Sequence, residues 1–205
     1  MYSKYFKRCF DFIGALLLIA VLSPLYVAVY FLVRLKMGYP AIFTQDRPGK
    51  DEKIFRLYKF RSMTSATDAD GNLLPDAQRI TKFGKFIRKT SLDELPQFFN
   101  ILKGDMSFIG PRPLLARYLP YYTKRERLRH SARPGITGLA QISGRNKLGW
   151  DARLECDAKY AENITFSGDV KIALATVAKV LKQSDIVATP KENYLDIERK
   201  NRIQQ

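Results

Sequence analysis

Two carboxylates stand side by side at Asp93-Glu94, within an apolar run, in a chain with few other acid–base groups. His130 is the only histidine, and Cys9 and Cys156 are the only cysteines. That leaves little basis for a histidine triad or a His-rich metal site, and none for a disulfide framework or a multi-cysteine zinc site. Nucleophilic or acid–base work falls to carboxylates, Lys, Tyr, Ser or Thr. His130 reads as a structural or polar-network residue, and Cys9 as a reduced interfacial thiol.

Cations surround the pair in sequence. Arg112 lies between Pro111 and Pro113, which present its guanidinium on a stiff, extended stem suited to bidentate phosphate binding. Lys59 and Arg61 fall on a predicted strand, and Arg88 just precedes the carboxylates. Arg133, Arg145 and Lys147 flank glycine-bearing loops. Gathered together, these groups would fit a metal-bound diphosphate, with a carboxylate for Mg²⁺ and Arg or Lys for phosphate oxygens.

Each feature also has a plainer reading. A single surface cation is usually solvated, and Arg112 could be an ordinary turn arginine. Ser91-x-x-Glu94 matches a capping box, which would make Glu94 a helix-start residue, and an acidic first turn also suits the helix dipole. The two roles for the pair are compatible. Neighbours inside a helix diverge by about 100°, whereas at a helix end both can reach one site.

The elements that must position these groups follow from patterning. Ala41 to Thr44 and Ile54 to Phe60 read as strands, separated by a loop over Gln45 to Asp51 that carries Pro48-Gly49. Ile80, Phe83, Phe86 and Ile87 recur at helical spacing, as do Leu92, Leu95, Phe99 and Leu102, with Pro96 pushing the second helix start to Asp93 or later. Further helices are predicted over Leu114 to Arg129, Trp150 to Glu162 and Val170 to Lys182. Beyond Ile186 the chain turns polar and is expected to be loosely ordered. There is no internal repeat, Walker A loop, G-x-G-x-x-G, zinc-finger or RNA-recognition signature.

The N-terminus is of another kind. Phe12 to Val33 is a run of 22 residues without charge, 14 of them Leu, Ile, Val or Phe. As a helix it would reach about 33 Å, close to a bilayer core. A cleaved signal is disfavoured because Arg34 and Lys36 follow the run. Ser23-Pro24 interrupts it: proline leaves a carbonyl unpaired, for which the Ser23 hydroxyl is a candidate partner. Two topologies remain open on the residues alone, a kinked spanning helix and a re-entrant pair of helices returning to the same side. Lys4, Lys7 and Arg8 before the run and Arg34 and Lys36 after it favour the second slightly, since positive flanks stay cytoplasmic. Tyr2, Tyr5, Phe6 and Phe10 suit the headgroup region. The whole chain holds 35 Lys and Arg against 20 Asp and Glu, a formal charge of +15. Such a basic body seeks polyanions such as anionic lipid, nucleic acid or phosphate-rich small molecules.

Five ordered blocks then define a resemblance. They are Phe43-Thr-Gln-Asp-Arg-Pro-Gly; Tyr58-Lys-Phe-Arg-Ser-Met; Thr90-Ser-Leu-Asp-Glu-Leu-Pro-Gln-Phe-Phe-Asn; Gly104-Asp-Met-Ser-Phe-Ile-Gly-Pro-Arg-Pro; and Arg133-Pro-Gly-Ile-Thr-Gly-Leu-Ala-Gln-Ile-Ser-Gly-Arg-Asn. In this order the chain resembles the bacterial monotopic phosphoglycosyl transferases, from the membrane segment to about Asp169. Its length is similar to that of the minimal members, and it looks most like those that transfer N,N'-diacetylbacillosamine phosphate in protein N-glycosylation. Lys50-Asp51-Glu52 after Gly49 departs from the glycine-richer early hairpin expected.

The resemblance implies transfer of a phospho-sugar from a UDP-sugar to polyprenol (undecaprenyl) phosphate, with Mg²⁺, through a covalent enzyme intermediate and release of UMP. It implies Asp93 as nucleophile, Glu94 in Mg²⁺ binding or proton handling, and Arg112 in phosphate binding. Lys59, Arg88, Arg145 and Asp157 match polar positions around the family's active site. It also implies the re-entrant topology, with the break at Ser23-Pro24 and the catalytic body on the cytoplasmic face of the bacterial inner membrane. The expected fold is α+β and mostly helical. It comprises a re-entrant helix-break-helix membrane hairpin over 1–37, a compact helical catalytic domain with a small β-hairpin over 38–185, and a polar C-terminal tail over 186–205. The expected partners are the UDP-sugar donor, the polyprenol phosphate acceptor and membrane lipid, without nucleic acid. The alternative is a membrane-anchored basic protein that binds anionic lipid or nucleic acid through charge alone.

Overall fold

The computed structural model describes residues 2–144, 148–181 and 194–203. The uncharged run lies in one helix, α1 (Lys7–Met37), entered through a π-helical turn at Tyr2–Phe6. Pro24 sits inside α1 and removes the N–H that would have bonded the Ala20 carbonyl. The Ser23 hydroxyl donates to that carbonyl at 2.8 Å, so the freed acceptor is satisfied locally. The helical assignment therefore runs through Ser23-Pro24 without interruption.

Both arms of α1 lean on the same body. Asp11 and Ala15 are buried before Pro24, and Val29, Val33 and Met37 after it, while Leu16, Leu17, Val21 and Leu25 between them are exposed. Arg8 donates to the carbonyls of Ile101 and Leu102 at 2.5 and 2.8 Å. Tyr26, on the other arm, packs edge-on against Phe99 with ring centroids 5.7 Å apart. Residues 8 and 26 would stand about 27 Å apart along a straight helix, whereas residues 99 and 101 are neighbours. Asp11 accepts from the Ser107 hydroxyl and the Phe108 N–H at 3.0 and 3.1 Å, tying the first arm to the body.

In the body, β1 (Ile42–Pro48) and β2 (Ile54–Phe60) pair antiparallel, with Ile42 opposite Phe60 and Pro48 opposite Ile54. β2 falls where patterning predicts it. β1 runs four residues past the predicted end, because the ladder continues through the expected loop. There follow α2 (Asp76–Arg79), α3 (Lys82–Lys89), α4 (Gln97–Lys103) and β3 (Ser107–Ile109). β3 pairs in parallel with the later β4 (Gly135–Thr137). The single helix predicted over Leu114 to Arg129 is instead a 3-10 stretch at Ala116–Tyr121, α5 (Lys124–Arg127) and a second 3-10 turn at Leu128–Ser131. Pro120 cannot donate to a continuing α-ladder, and Thr123 with Glu126 forms a capping box that starts afresh. α6 (Leu139–Ser143), α7 (Trp150–Glu162) and α8 (Phe166–Leu181) complete the body.

Two buried clusters set the frame of the site. One joins Val29, Val33 and Met37 to Ala41, Phe60 and Ile87. The other joins Ala15 to Leu57, Ile101 and Met106. Gly84 lets α3 press onto the chain beyond β2, since a Cβ there would stand 1.9 Å from the Ser62 carbonyl oxygen. That close approach brings Arg88 beside Ser62.

The tail corrects the expectation of loose order. Residues 186–193 lie outside the described residues, but Leu195–Ile203 form a helix, α9. Leu195 is fully buried among Tyr118, Tyr122, Trp150 and Leu154, and Arg199 reaches both Glu126 and Asp151. One apolar anchor in a polar stretch is too weak a pattern to read in sequence. Leu195→Ala is expected to lower stability by about 2–4 kcal/mol in denaturant unfolding. Ile197→Ala, at a residue 44% exposed, should cost under about 1 kcal/mol.

Candidate active site

The carboxylates owe their direction to a reversal. α3 ends at Thr90, and Ser91 takes φ +57°, a left-handed conformation uncommon outside glycine. The chain then makes one 3-10 turn, Leu92–Glu94, before Pro96 precedes α4. The Ser91 hydroxyl forms no cap hydrogen bond, so the capping box does not form. The Glu94 carboxylate turns to two cations instead.

Lys59, from β2, places Nζ 2.8 Å from Glu94 Oε1 and 3.8 Å from Asp93 Oδ2. Arg112 Nη2 donates to the same Glu94 Oε1 at 2.7 Å. One short turn thus brings both carboxylates of an adjacent pair to one lysine. Asp93 is buried, whereas the Arg112 side chain keeps 45% exposure and borders solvent.

The electrostatics separate the two acids. Burial pushes the Asp93 carboxyl up to about 6, with the Lys59 charge pulling it down, the Glu94 charge pushing it up, and Arg112 and Arg88 pulling it down. Burial would also raise Glu94, but Arg112 and Lys59 override it and hold that carboxyl well below the usual range. The Glu94 charge in turn raises Arg112 above its ordinary value. Glu94 is the permanently ionised partner of the cations. Asp93 is a buried carboxylate with no hydrogen bond among the described residues, available to a reacting group.

Other candidates fall at different distances. Arg88 donates from Nε to the Ser62 hydroxyl at 2.7 Å, and its charge is felt at Asp93. Asp157, on α7, touches neither carboxylate of the pair. It accepts from buried Arg129 at 2.8 and 3.1 Å. Arg145 and Lys147 lie outside the described residues. Arg61 turns to the carbonyls of Tyr39 and Met37 at 3.0 and 3.4 Å, and Arg133 to that of Gly104 at 3.0 Å. His130 is buried with Nδ1 3.3 Å from the Gly49 carbonyl. Burial and then the Arg129 charge lower its pKa to about 4, which keeps it neutral. Ser62, Arg47 and Arg129 carried no signal in the sequence, since Ser62 meets Arg88, Arg47 meets the Pro113 carbonyl and Arg129 meets Asp157 across 26, 66 and 28 residues.

Among the described residues, no three His, Cys, Asp or Glu side chains converge on a metal position. Both cations reach Glu94 through Oε1, and Oε2 has no hydrogen-bond partner among the described residues. Mg²⁺ commonly takes one or two carboxylates plus substrate phosphates and water. Glu94 together with a diphosphate fits that demand; an all-protein cage does not.

The Asp93 carboxyl carbon, followed by NMR in the metal-free protein, is expected to titrate near pH 6 and to be ionised above it. Lys59→Met removes the charge that pulls this pKa down, so the midpoint should move to higher pH. A wild-type midpoint below 5 would contradict the burial described here.

Comparison with known proteins shows the family. Residues 2–183 match the family model described as "Bacterial sugar transferase". The chain is 50% identical over 193 residues to an uncharacterized sugar transferase, EpsL, of Bacillus subtilis, covering 94% of each chain. It is 39% identical over 199 residues to the undecaprenyl-phosphate galactose phosphotransferase of Salmonella typhimurium, covering 88% of this chain and 41% of that one. It is 38% identical over 194 residues to the UDP-glucose:undecaprenyl-phosphate glucose-1-phosphate transferase of Escherichia coli, covering 86% of this chain and 40% of that one. The chain thus spans about two fifths of the length of these two named phosphotransferases. With the match running from the apolar helix through α8, and the carboxylate pair with its cations at the centre of the matched region, this chain belongs to the bacterial sugar transferase family.

Proposed function

We propose that the chain transfers a phospho-sugar from a UDP-sugar to polyprenol phosphate, through a covalent intermediate on Asp93. The observation that carries this reading is the division of labour in the pair. One carboxylate is pinned ionised between Lys59 and Arg112, and its buried neighbour, 3.8 Å from Lys59, has no hydrogen bond among the described residues.

In the first step an Asp93 oxygen attacks the sugar-bearing phosphorus of the donor. The bond from that phosphorus to the bridging oxygen breaks, and UMP leaves. In the second step a phosphate oxygen of the acceptor attacks the aspartyl-bound phosphorus. The bond to Asp93 breaks, and polyprenol-diphosphate-sugar leaves with the carboxylate restored. Dividing one displacement into two suits a buried nucleophile. Asp93 must be ionised to attack, which its pKa near 6 allows at neutral pH. Arg112, half in solvent on its proline-flanked stem, is placed to meet diphosphate oxygens, and Lys59 and Arg88 limit repulsion between Asp93 and the donor. Glu94 would hold Mg²⁺ together with the diphosphate. When bound, that ion neutralises charge on the phosphates.

The setting is a membrane surface. α1 is the one helix among the described residues long and apolar enough to cross a membrane. Its arms return to one body, which supports the re-entrant reading, with both ends on the cytoplasmic face of the inner membrane. Phe166, Val170, Leu174 and Val177 expose an apolar stripe along α8, and Phe166 meets the rings of Tyr2 and Phe10 from the N-terminal segment. A lipid-borne acceptor would then reach Asp93 without leaving the headgroup plane. The donor sugar is read as an N-acetylated amino sugar, N,N'-diacetylbacillosamine first. The relatives' names include galactose, glucose and N-acetylgalactosamine.

Intact-protein mass after mixing with Mg²⁺ and a panel of UDP-sugars, without acceptor, should rise by one phospho-sugar for the true donor. Asp93→Asn should show no gain and no UMP release. Normal turnover by Asp93→Asn would remove Asp93 as nucleophile, and no UMP from any donor in the presence of polyprenol phosphate would favour a basic binding protein. Tags at the two termini should both be accessible only from the cytoplasm. A protected N-terminal tag would show a spanning helix.

A further inference from the structure

The segment Pro111-Arg112-Pro113 poses a hydrogen-bonding problem. Its two prolines have no N–H, so three residues offer three carbonyl acceptors and a single backbone donor. Both prolines are buried. Each carbonyl finds a donor from a different part of the chain. The Pro111 carbonyl accepts the Gly135 N–H at 3.0 Å. The Arg112 carbonyl accepts Arg129 Nη2 at 2.6 Å. The Pro113 carbonyl accepts Arg47 Nη1 at 3.3 Å.

The middle donor has an unusual history. Arg129 is 2% exposed, paired through Nε and Nη2 with Asp157, which is also 2% exposed. The Tyr122 ring lies 5.6 Å from the guanidinium. An arginine cannot shed its charge, so its burial carries a full desolvation cost. Stability is a poor explanation, because apolar residues of similar volume usually do as well as a buried ion pair. The pair is not even fully satisfied, since Asp157 Oδ1 is buried without a partner among the described residues. What an apolar replacement could not do is donate to the Arg112 carbonyl.

We infer that Arg129, held by Asp157, is a positioning residue. It fixes the backbone of Arg112 so that the guanidinium facing Glu94 meets the donor diphosphate already oriented. This inference rests on the transferase reading for its substrate, and it deepens that reading by assigning Asp157 to the support of Arg112. The chain of contacts runs from Asp157 to Arg129, to the Arg112 carbonyl, and through the Arg112 side chain to Glu94 Oε1. Loosening it would leave chemistry at Asp93 intact and raise the cost of ordering Arg112 on the diphosphate.

The test replaces the pair with an apolar one, Arg129→Met with Asp157→Leu, which keeps the volume and removes the donor. Arg129→Lys serves as a second variant in case the pair folds poorly. Two readouts are taken: steady-state kinetics with the donor found by mass, and calorimetric binding of UDP with Mg²⁺, which needs no turnover. The folded double variant should raise donor KM and weaken UDP binding about tenfold, with kcat and acceptor KM within about threefold of wild type. In an Arg112→Ala background the same replacement should add nothing, because its effect passes through Arg112. Unchanged UDP affinity in a folded variant, or an equal further loss in the Arg112→Ala background, overturns the inference while leaving the transferase reading intact. A wild-type protein that binds UDP but releases no UMP overturns the transferase reading, and the clamp is then judged on UDP affinity alone. A wild-type protein that does neither overturns both.

Discussion

The site depends on how two adjacent carboxylates are kept from behaving alike. Left in water, Asp93 and Glu94 would both ionise near pH 4 and repel a diphosphate equally. Here one glutamate oxygen is shared by Lys59 at 2.8 Å and Arg112 at 2.7 Å, which fixes Glu94 as the charge that organises the cations. Asp93 is buried too but stands farther from Lys59 and has no such hydrogen bonds among the described residues, so desolvation is not overridden there. Pushing the pKa values of neighbouring acids apart is a recognised way to give them different chemical duties.

That separation demands a particular backbone. Adjacent side chains diverge by about 100° in an α-helix and by about 120° in a 3-10 turn, so both carboxylates meet one lysine because the turn ends a chain reversal beside β2, not because its neighbours point alike. The left-handed Ser91, the single 3-10 turn and Pro96 together replace the first helical turn with a short rim. β2 delivers Lys59 to that rim. α3, pressed close through Gly84, delivers Arg88, and the proline-flanked segment delivers Arg112. Irregular backbone forms the rim, while ladders and apolar clusters hold the surroundings.

The membrane helix joins this frame directly. Val29, Val33 and Met37 pack on Phe60 and Ile87, next to the strand that bears Lys59 and the helix that bears Arg88. Ala15, Asp11 and Arg8 tie the other arm to α4 and β3. The apolar helix is therefore part of the core that shapes the site.

The sequence alone determined whatever depends on local type and spacing. The long uncharged run, the Ser23 partner for the carbonyl freed by Pro24, strand β2, helices α7 and α8, and the adjacency of Asp93 and Glu94 are all matters of periodicity or near neighbours. The proline-flanked arginine and the ordered blocks that mark the family were legible for the same reason. Tertiary structure decided the rest, because it rests on partners far apart in the chain. Ser91-x-x-Glu94 could have been a capping box until Lys59 and Arg112, 35 and 18 residues from Glu94, drew its carboxylate away. Asp157 matched a polar position through the family resemblance, and only the fold shows its charge paired with a buried arginine 28 residues away. The tail read as loose because one leucine in a polar stretch has no period, and only the cavity among Tyr118, Trp150 and Leu154 gives Leu195 a place to be buried.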